Sequence, residues 1–526
     1  MKKILVAFVL LISMLSIYSE EIIVSEEDIL PLPAWNITPR KRVDRRLQLR
    51  NLISLPPSGV IYTPAEFAEM EGVIIQVPST MANLRKYYAE MIIGILDAAA
   101  IPYIIADSQN SSFWQTRNDI QHITDNVLIP NGIDPLDVVF IDTKYDANWT
   151  RDYGPYHIYV NGIRAIVNNE YYEDRPNDNA INFKLAQLWD EDIYSTGLST
   201  EGGNFMTDGL GTCWTTTGTL EANIEYYGWT KEEVSQIYYD YLNCYNGIYY
   251  PEPLANEGTT HIDMFAKILD QHTIIVGYSN AELGAQNEEI ESLDAAAEFL
   301  ANTPKPDGGK WNVVRIPMTF ATINYGFGRT RVQYTHTNST IVNDHVLVPT
   351  YARGTDEEAL TIYQELMPDH VIVPINSNAM ITSGGAIHCT TMQVPVKYYS
   401  RCGNGVIDDD EECDLYFLNG ATCQTVGDFT GGTLRCGDDC RYDTSNCYPQ
   451  PDDNNDPDIY PDEDNEGSDS DNANDNDTET DDSDPELPDN DSSADSDGDT
   501  WKDDSLEDVP EKELKRKTSG CSISLI

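Results

Sequence analysis

Basic residues are scarce. The 526-residue chain has 33 Lys and Arg against 88 Asp and Glu, a formal net charge of −55. A polyanion is bound by releasing its counterions onto Lys and Arg, so nucleic acid is excluded as a partner and a cationic one is favoured. After the first twenty residues no apolar run approaches the roughly 18 residues that a span requires, so no membrane span is expected in the mature chain. The densest group of cysteines contains no His and no paired C-x2-C, which argues against zinc there. Hydrophobic residues make up 40% and aromatics 10%, enough for a core of ordinary density, which excludes collagen-like, coiled-coil and wholly disordered chains.

The charge is uneven. Residues 451–510 carry 26 acids and one Lys, residues 402–450 a net of −8, and residues 1–401 a net of −24. Lys2 and Lys3 precede an apolar run that extends from Ile4 to Ile17 and ends at Ser19-Glu20-Glu21. A basic start, a short apolar stretch and a small residue before a charged break read as a signal peptide over 1–19. The chain is therefore expected to be secreted or held at the cell surface. An N-terminal extension (20–59), an α/β domain (60–400), a cysteine-rich module (401–448) and an acidic low-complexity tail (449–526) follow.

Six cysteines (Cys402, Cys413, Cys423, Cys436, Cys440 and Cys447) fall within 46 residues. In an exported chain such a cluster is a disulfide framework, whose 15 possible pairings the sequence leaves open. Cys213 and Cys244 are expected to form a further bridge. The module resembles a small cysteine-rich repeat found on exported proteins of myxobacteria and their relatives, which implies an accessory role. The tail, almost free of aliphatic residues, cannot bury enough apolar surface to offset chain entropy and is expected to be disordered. Within it, Asp495, Asp497, Asp499 and Asp503 around Gly498 resemble the calcium loops of thrombospondin-type repeats. A solvated acidic linker is the competing reading.

Residues 60–400 alternate apolar runs with helical patterns. GVIIQVP (72–78), YIIA (103–106), VVFID (138–142), HIYVNGIRAIV (157–167), TIIVGY (273–278) and HVLVP (345–349) read as strands. Leu84, Tyr88, Met91, Ile92 and Ile95 recur at helical spacing within 83–98, and 285–302 and 356–367 also read as helices. This is an α/β pattern of repeated strand–helix units.

Five short polar motifs stand where strands end: Trp149-Thr-Arg-Asp152-Tyr-Gly-Pro155, Glu201-Gly-Gly-Asn204, Gly258-Thr-Thr-His261-Ile-Asp263, Tyr334-Thr-His-Thr-Asn338-Ser339 and Gly384-Gly-Ala-Ile-His388-Cys389-Thr390. Together they supply one Cys, a His, several carboxylates and Gly-rich backbone. A Cys nucleophile needs a lowered pKa or a nearby base, and His261 can carry the proton traffic. The surplus of carboxylates is what a Cys protease has no use for. A guanidinium offers five donors in a planar fork that carboxylates match bidentately. Asp152 and Asp263 clamping such a group would hold its carbon before Cys389. Arg151 reads as an ion-pair partner for nearby acids, and His157, His336 and His388 as structural.

In this order and spacing, over residues 60–395, the motifs resemble the family of bacterial agmatine deiminases and Porphyromonas-type peptidylarginine deiminases, within the pentein superfamily. The resemblance implies a five-bladed α/β propeller of ββαβ units with the active site in its central channel, and deimination without metal or organic cofactor. Motif by motif, it implies Cys389 as nucleophile, His261 as general acid/base, and Asp152 and Asp263 as holders of the guanidinium nitrogens. Asn338 matches a position near the reacting centre. Glu201, Trp149 and Arg175 match positions in or beside the substrate site. Export favours an external substrate, peptidyl or protein arginine, converted to citrulline and ammonia. Arg175 matches one of two arginines that bind a C-terminal carboxylate in the Porphyromonas-type enzymes, whereas Glu173 stands at the other. Agmatine, giving N-carbamoylputrescine, is the alternative substrate. An amidinotransferase and a non-catalytic secreted calcium-binding or adhesion protein are the readings from other classes.

Overall fold

β-Branched apolar runs separated by amphipathic helices fold into a repeating α/β unit in the computed structural model. It describes residues 53–449 except 79, 112–115, 306–307, 325–328, 399–406, 408–410, 415–416 and 438–439. The expected signal peptide, the calcium candidates Asp495, Asp497, Asp499 and Asp503, and Cys402 lie outside the described residues.

Five sheets between Ile61 and Pro395 share one pattern: two antiparallel strands, a helical crossover, and a third strand parallel to the second. In the first, Tyr156–Val160 and Ile163–Glu170 form the antiparallel pair, helix Pro176–Trp189 crosses over, and Ile193–Ser199 returns parallel. The second uses Met206–Thr207, Thr212–Trp214 and Gly247–Tyr249, with helices Thr217–Tyr227 and Lys231–Leu242 between the last two strands. Ala266–Ile268, Thr273–Tyr278 and Asn312–Asn324 build the third around helix Asn287–Asn302, with Arg329–Thr335 added at its edge. The fourth joins Thr340–Val342, His345–Thr350 and Val371–Asn376 through helix Asp356–Leu366. In the fifth, Met392–Pro395 from the far end of the domain pairs antiparallel with Met70–Gln76. Helix Arg85–Asp97 then leads to the parallel strands Ile101–Ala106 and Val139–Asp142. Closure of the last strand onto one of the first ties Cys389, just upstream of Met392, to the start of the domain.

The apolar run 157–167 is a hairpin, not a single strand. Asn161 and Gly162 take left-handed φ values of 52° and 76°, as a tight two-residue turn between twisted strands requires. Helix Arg85–Asp97 buries Tyr88, Met91, Ile92 and Ile95 in a cluster with Val73, Ile75, Ile104 and Leu347. Each such fully buried side chain contributes about 1.5–3 kcal/mol. Trp149 and Cys389 belong to this cluster, so the site grows out of the core. Disulfides join Cys213 to Cys244, as expected, and within the module Cys413 to Cys436 and Cys423 to Cys447. No helix among the described residues is long and apolar enough to cross a membrane.

Candidate active site

All five motifs lie on equivalent connections, each leading from the last strand of one sheet into the first strand of the next. Thr150–Tyr153 precedes the first sheet's hairpin, Gly202–Asn204 the second, Ile262–Met264 the third, residues 336–339 the fourth and His388–Thr390 the fifth. One structural position repeated five times therefore delivers Asp152, Asn204, Asp263, Asn338 and Cys389 to one buried region. Asn204 serves the scaffold: its Oδ1 accepts from Thr216 N and Ile262 N, both at 3.1 Å, fixing the second connection to the third.

Cys389 is 2% exposed. Asn338 Nδ2 donates to its Sγ at 3.1 Å, and the thiol points to Asp263 Oδ2 at 3.6 Å. Asn338 Oδ1 also accepts from the main-chain N–H groups of Ala386 (3.0 Å) and Cys389 (3.3 Å), so one side chain holds both the nucleophile and its loop. Expected near the reacting centre, Asn338 stands against the Cys389 sulfur itself. Trp149 lines the same wall: a Cβ on Gly385 would stand 2.6 Å from Cys389 Sγ and 2.9 Å from Trp149 Cζ3.

His261 is buried, with Nε2 3.3 Å from Glu201 Oε2 and Nδ1 3.7 Å from Asp152 Oδ1. Tyr172 donates to the other oxygen of Glu201 at 2.8 Å. His261 Nδ1, Asp152 Oδ1 and Asp263 Oδ1 are all buried without a hydrogen-bond partner among the described residues. Gly203 shows how closely they converge: a Cβ there would meet His261 Nδ1 at 2.6 Å, Asp263 Oδ2 at 2.9 Å and Asp152 Oδ1 at 3.0 Å. Arg175 stands one layer out, its guanidinium over the rings of Tyr171 and Tyr172 and donating to Tyr171 Oη at 2.8 Å. Glu173 beside it is exposed.

The electrostatics follow from these neighbours. Burial works against the His261 cation, but Glu201 and Asp152 outweigh it and push the imidazole up to about 10. Burial, reinforced by Glu201 and Asp263, raises Asp152 well above the usual carboxylate range. Burial also opposes the Asp263 anion, but the His388 hydrogen bond and charge hold it below its ordinary value. Cys389 is raised well above an ordinary thiol, first by burial and then by Asp263 and Asp152. Asp152, Glu201 and His261 bring ligand atoms within 4.8 Å of one another. With its proton favoured by two acids, His261 would hold a metal only by giving that proton up. Glu411, Asp414 and Cys440 also cluster, but Cys440 is in a disulfide and offers no thiolate.

Comparison with known proteins now decides the family. The family model described as Porphyromonas-type peptidyl-arginine deiminase matches residues 62–395, more than half of the chain. The chain belongs to the Porphyromonas-type peptidyl-arginine deiminase family. It is a hydrolase of guanidino C–N bonds. A Vibrio parahaemolyticus protein named "Putative agmatine deiminase" is 24% identical over 372 residues, 65% of this chain and 99% of that protein. The solved agmatine deiminase of Enterococcus faecalis superposes with a TM-score of 0.55 at 21% identity, covering 65% of this chain and 100% of the other. For the agmatine deiminase of C. jejuni the score is 0.53 at 19% identity, covering 64% and 97%. These likenesses establish the shared α/β fold of the pentein deiminases.

Three largely buried ionisable residues beside the site drew no functional reading from the sequence. His388, read there as structural, bonds to Asp263, and Glu66 and Lys267 lie directly behind it. Position beside Cys389 was the available signal for His388. For Lys267 it was a lone cation in the apolar run Phe265-Ala-Lys-Ile-Leu269. Glu66, in a loop far from every motif, offered none. His336 does have the structural role expected, between Pro349 O at 2.9 Å and Thr355 Oγ1 at 3.2 Å.

Proposed function

We propose that this deiminase is exported and converts arginine in peptides or proteins to citrulline and ammonia through a covalent Cys389 intermediate. The observation that carries the reading is the convergence of two carboxylates, Asp152 and Asp263, on His261 Nδ1 beside Gly203, with Cys389 Sγ 3.6 Å from Asp263 and one oxygen of each acid without a hydrogen-bond partner among the described residues. A guanidinium between the two acids satisfies both and places its carbon before the sulfur. The bound cation also offsets the carboxylate charge that holds the thiol protonated, so the thiol gives up its proton to solvent and the thiolate attacks. An S–C bond forms, His261 donates its proton to the leaving nitrogen, and the C–N bond breaks with release of ammonia. Water then adds to the resulting thiouronium as neutral His261 takes one of its protons. The C–S bond breaks, the second water proton passes to the departing sulfur and restores the thiol, and the ureido product departs, while the proton first given to solvent converts the released ammonia to ammonium. Asp152 and Asp263 supply the positioning throughout.

A cleft lined by Glu257, Thr259, Met264, Gln333, Ile381 and Gly384 borders this chamber and favours a peptide. Its wall reaches the site through Met264, whose sulfur contacts Asn338, and through Gly384 beside the Cys389 loop. Room at that point suits a substrate with a main chain attached to the arginine. Agmatine is the second reading, favoured by relatives that carry that name. The test is an ammonia and ureido-product assay on the purified chain with agmatine, free arginine, and peptides with internal or C-terminal arginine. Conversion of the peptides is expected. Conversion of agmatine alone overturns the peptide reading, and conversion of none with Cys389 reduced overturns the deiminase mechanism.

A further inference from the structure

Behind the chamber lies a second buried charged cluster that the chemistry above does not use. His388, 3% exposed, sets Nδ1 2.7 Å from Asp263 Oδ2 and Nε2 3.0 Å from Glu66 Oε2. Glu66 Oε1 accepts from Lys267 Nζ at 2.6 Å and Gln393 Nε2 at 2.7 Å. Arg151 binds Gln393 Oε1 and, through Nε, the main-chain oxygen of His388 at 3.3 Å. Two sheets and three connections meet here, since the residues come from the first, third and fifth connections, the third and fifth sheets' first strands and the loop entering the fifth.

Imidazole has one donor when neutral and two when protonated. Both ring nitrogens of His388 face carboxylates, and an ionised carboxylate only accepts. Burial opposes the Glu66 anion, but His388 and Lys267 outweigh it and hold the group well below its ordinary range. Asp263 is held down in the same manner. With a carboxylate oxygen against each ring nitrogen, the ring is placed to donate at both, and an imidazole that donates twice is a cation.

Two consequences follow. His388 holds Asp263 by Oδ2, the same oxygen toward which the Cys389 thiol points at 3.6 Å. The charge of Asp263, which opposes ionisation of Cys389, is largely neutralised by a cation on the residue next to the sulfur. We propose that His388, held doubly protonated between Glu66 and Asp263, is a positioning residue that aims Asp263 and sets how readily Cys389 loses its proton. The groups that face His388 are Asp263, Glu66 and Arg151. Those that face Cys389 are Asp263, Asp152 and the hydroxyls of Tyr87 and Tyr351.

The decisive measurement is the pH dependence of Cys389 alkylation by iodoacetamide in the full chain, read by mass spectrometry of the Cys389 peptide. His388→Gln can still donate to Asp263 but carries no charge, whereas His388→Lys keeps the charge. The midpoint of alkylation is expected to rise by about one pH unit or more in H388Q and to stay nearer wild type in H388K. Turnover should fall about 10- to 100-fold in H388Q, mainly in kcat. Equal profiles for wild type and H388Q, or equal shifts in H388Q and H388K, overturn the proposal in favour of a merely structural histidine. Should neither variant fold, Glu66→Gln combined with Lys267→Met removes the anion behind the ring at constant local charge. The same upward shift is then expected, and an unchanged profile overturns the proposal. The turnover arm rests on the proposed reaction and the alkylation arm does not. A shifted profile in an enzyme that converts no guanidino substrate would uphold the role of His388 while removing the proposed function.

Discussion

Asn338 Nδ2 lies 3.1 Å from Cys389 Sγ, the nearest donor to the nucleophile, and the opposite end of the same amide accepts from the main chain of the Cys389 loop. That donor is among the groups working against burial and Asp263 to lower the thiol. A hydrogen bond to a charged group is worth about 1.5–3 kcal/mol, so Asn338→Ala is expected to cut kcat by about 10- to 150-fold. Asn338→Asp, which sets a third carboxylate beside the sulfur, should be worse. Steady-state kinetics check both, and an N338D enzyme as active as wild type would contradict the arrangement.

Gly203 is a packing requirement of the site. Its φ is not in the left-handed region, so alanine is tolerated by the backbone. The added methyl, however, would stand within 3.0 Å of His261 Nδ1, Asp263 Oδ2 and Asp152 Oδ1. Gly203→Ala is therefore expected to lower kcat/KM by at least about 100-fold through displaced acids, since small misplacements of positioning groups cost that much. The melting temperature should move far less than the activity does. Loss of folding in place of loss of activity would assign Gly203 to the core.

The pH profile of the free enzyme follows from two opposed shifts. His261, pushed up to about 10 by Glu201 and Asp152 against burial, is already protonated at neutral pH and able to donate. Cys389 is raised well above an ordinary thiol and must lose its proton to react. Rising pH therefore increases the reactive thiolate fraction, until the loss of the His261 proton near 10 ends the gain. The expected kcat/KM profile climbs through pH 7–9 and levels off near 10. A maximum at pH 6 would contradict these protonation states.

Much of the architecture was legible because apolar runs are a local signal. TIIVGY and HVLVP became the strands Thr273–Tyr278 and His345–Thr350, and the pattern over 285–302 became helix Asn287–Asn302. Ala266–Ile268 was missed, because Lys267 interrupts its apolar pattern with a charge that only Glu66 neutralises, 201 residues away in sequence. The site divides in the same way. Cys389, His261, Asp152 and Asp263 announce themselves in short motifs, and the fold brings them together. Glu66 becomes meaningful only when the fifth sheet closes the chain and sets it against His388 and Gln393. Asn338 stands in a motif the sequence singles out, but its bond to Cys389 Sγ could be read only from geometry.

The Cys213–Cys244 bridge should govern stability without touching the chemistry. Both cysteines are buried, and the bond closes 31 residues, tying the middle strand of the second sheet to the end of helix Lys231–Leu242. Closing a loop of that size restricts the unfolded chain enough to contribute about 3–4 kcal/mol. A Cys213→Ala/Cys244→Ala double variant should thus melt several degrees lower and unfold at lower denaturant. Its kcat at 25 °C should match wild type, because neither sulfur contacts Cys389, His261 or the two aspartates. Thermal unfolding paired with turnover measures both effects, and a large loss of kcat in the folded variant would show that the second sheet's strain reaches the Glu201-Gly-Gly-Asn204 connection.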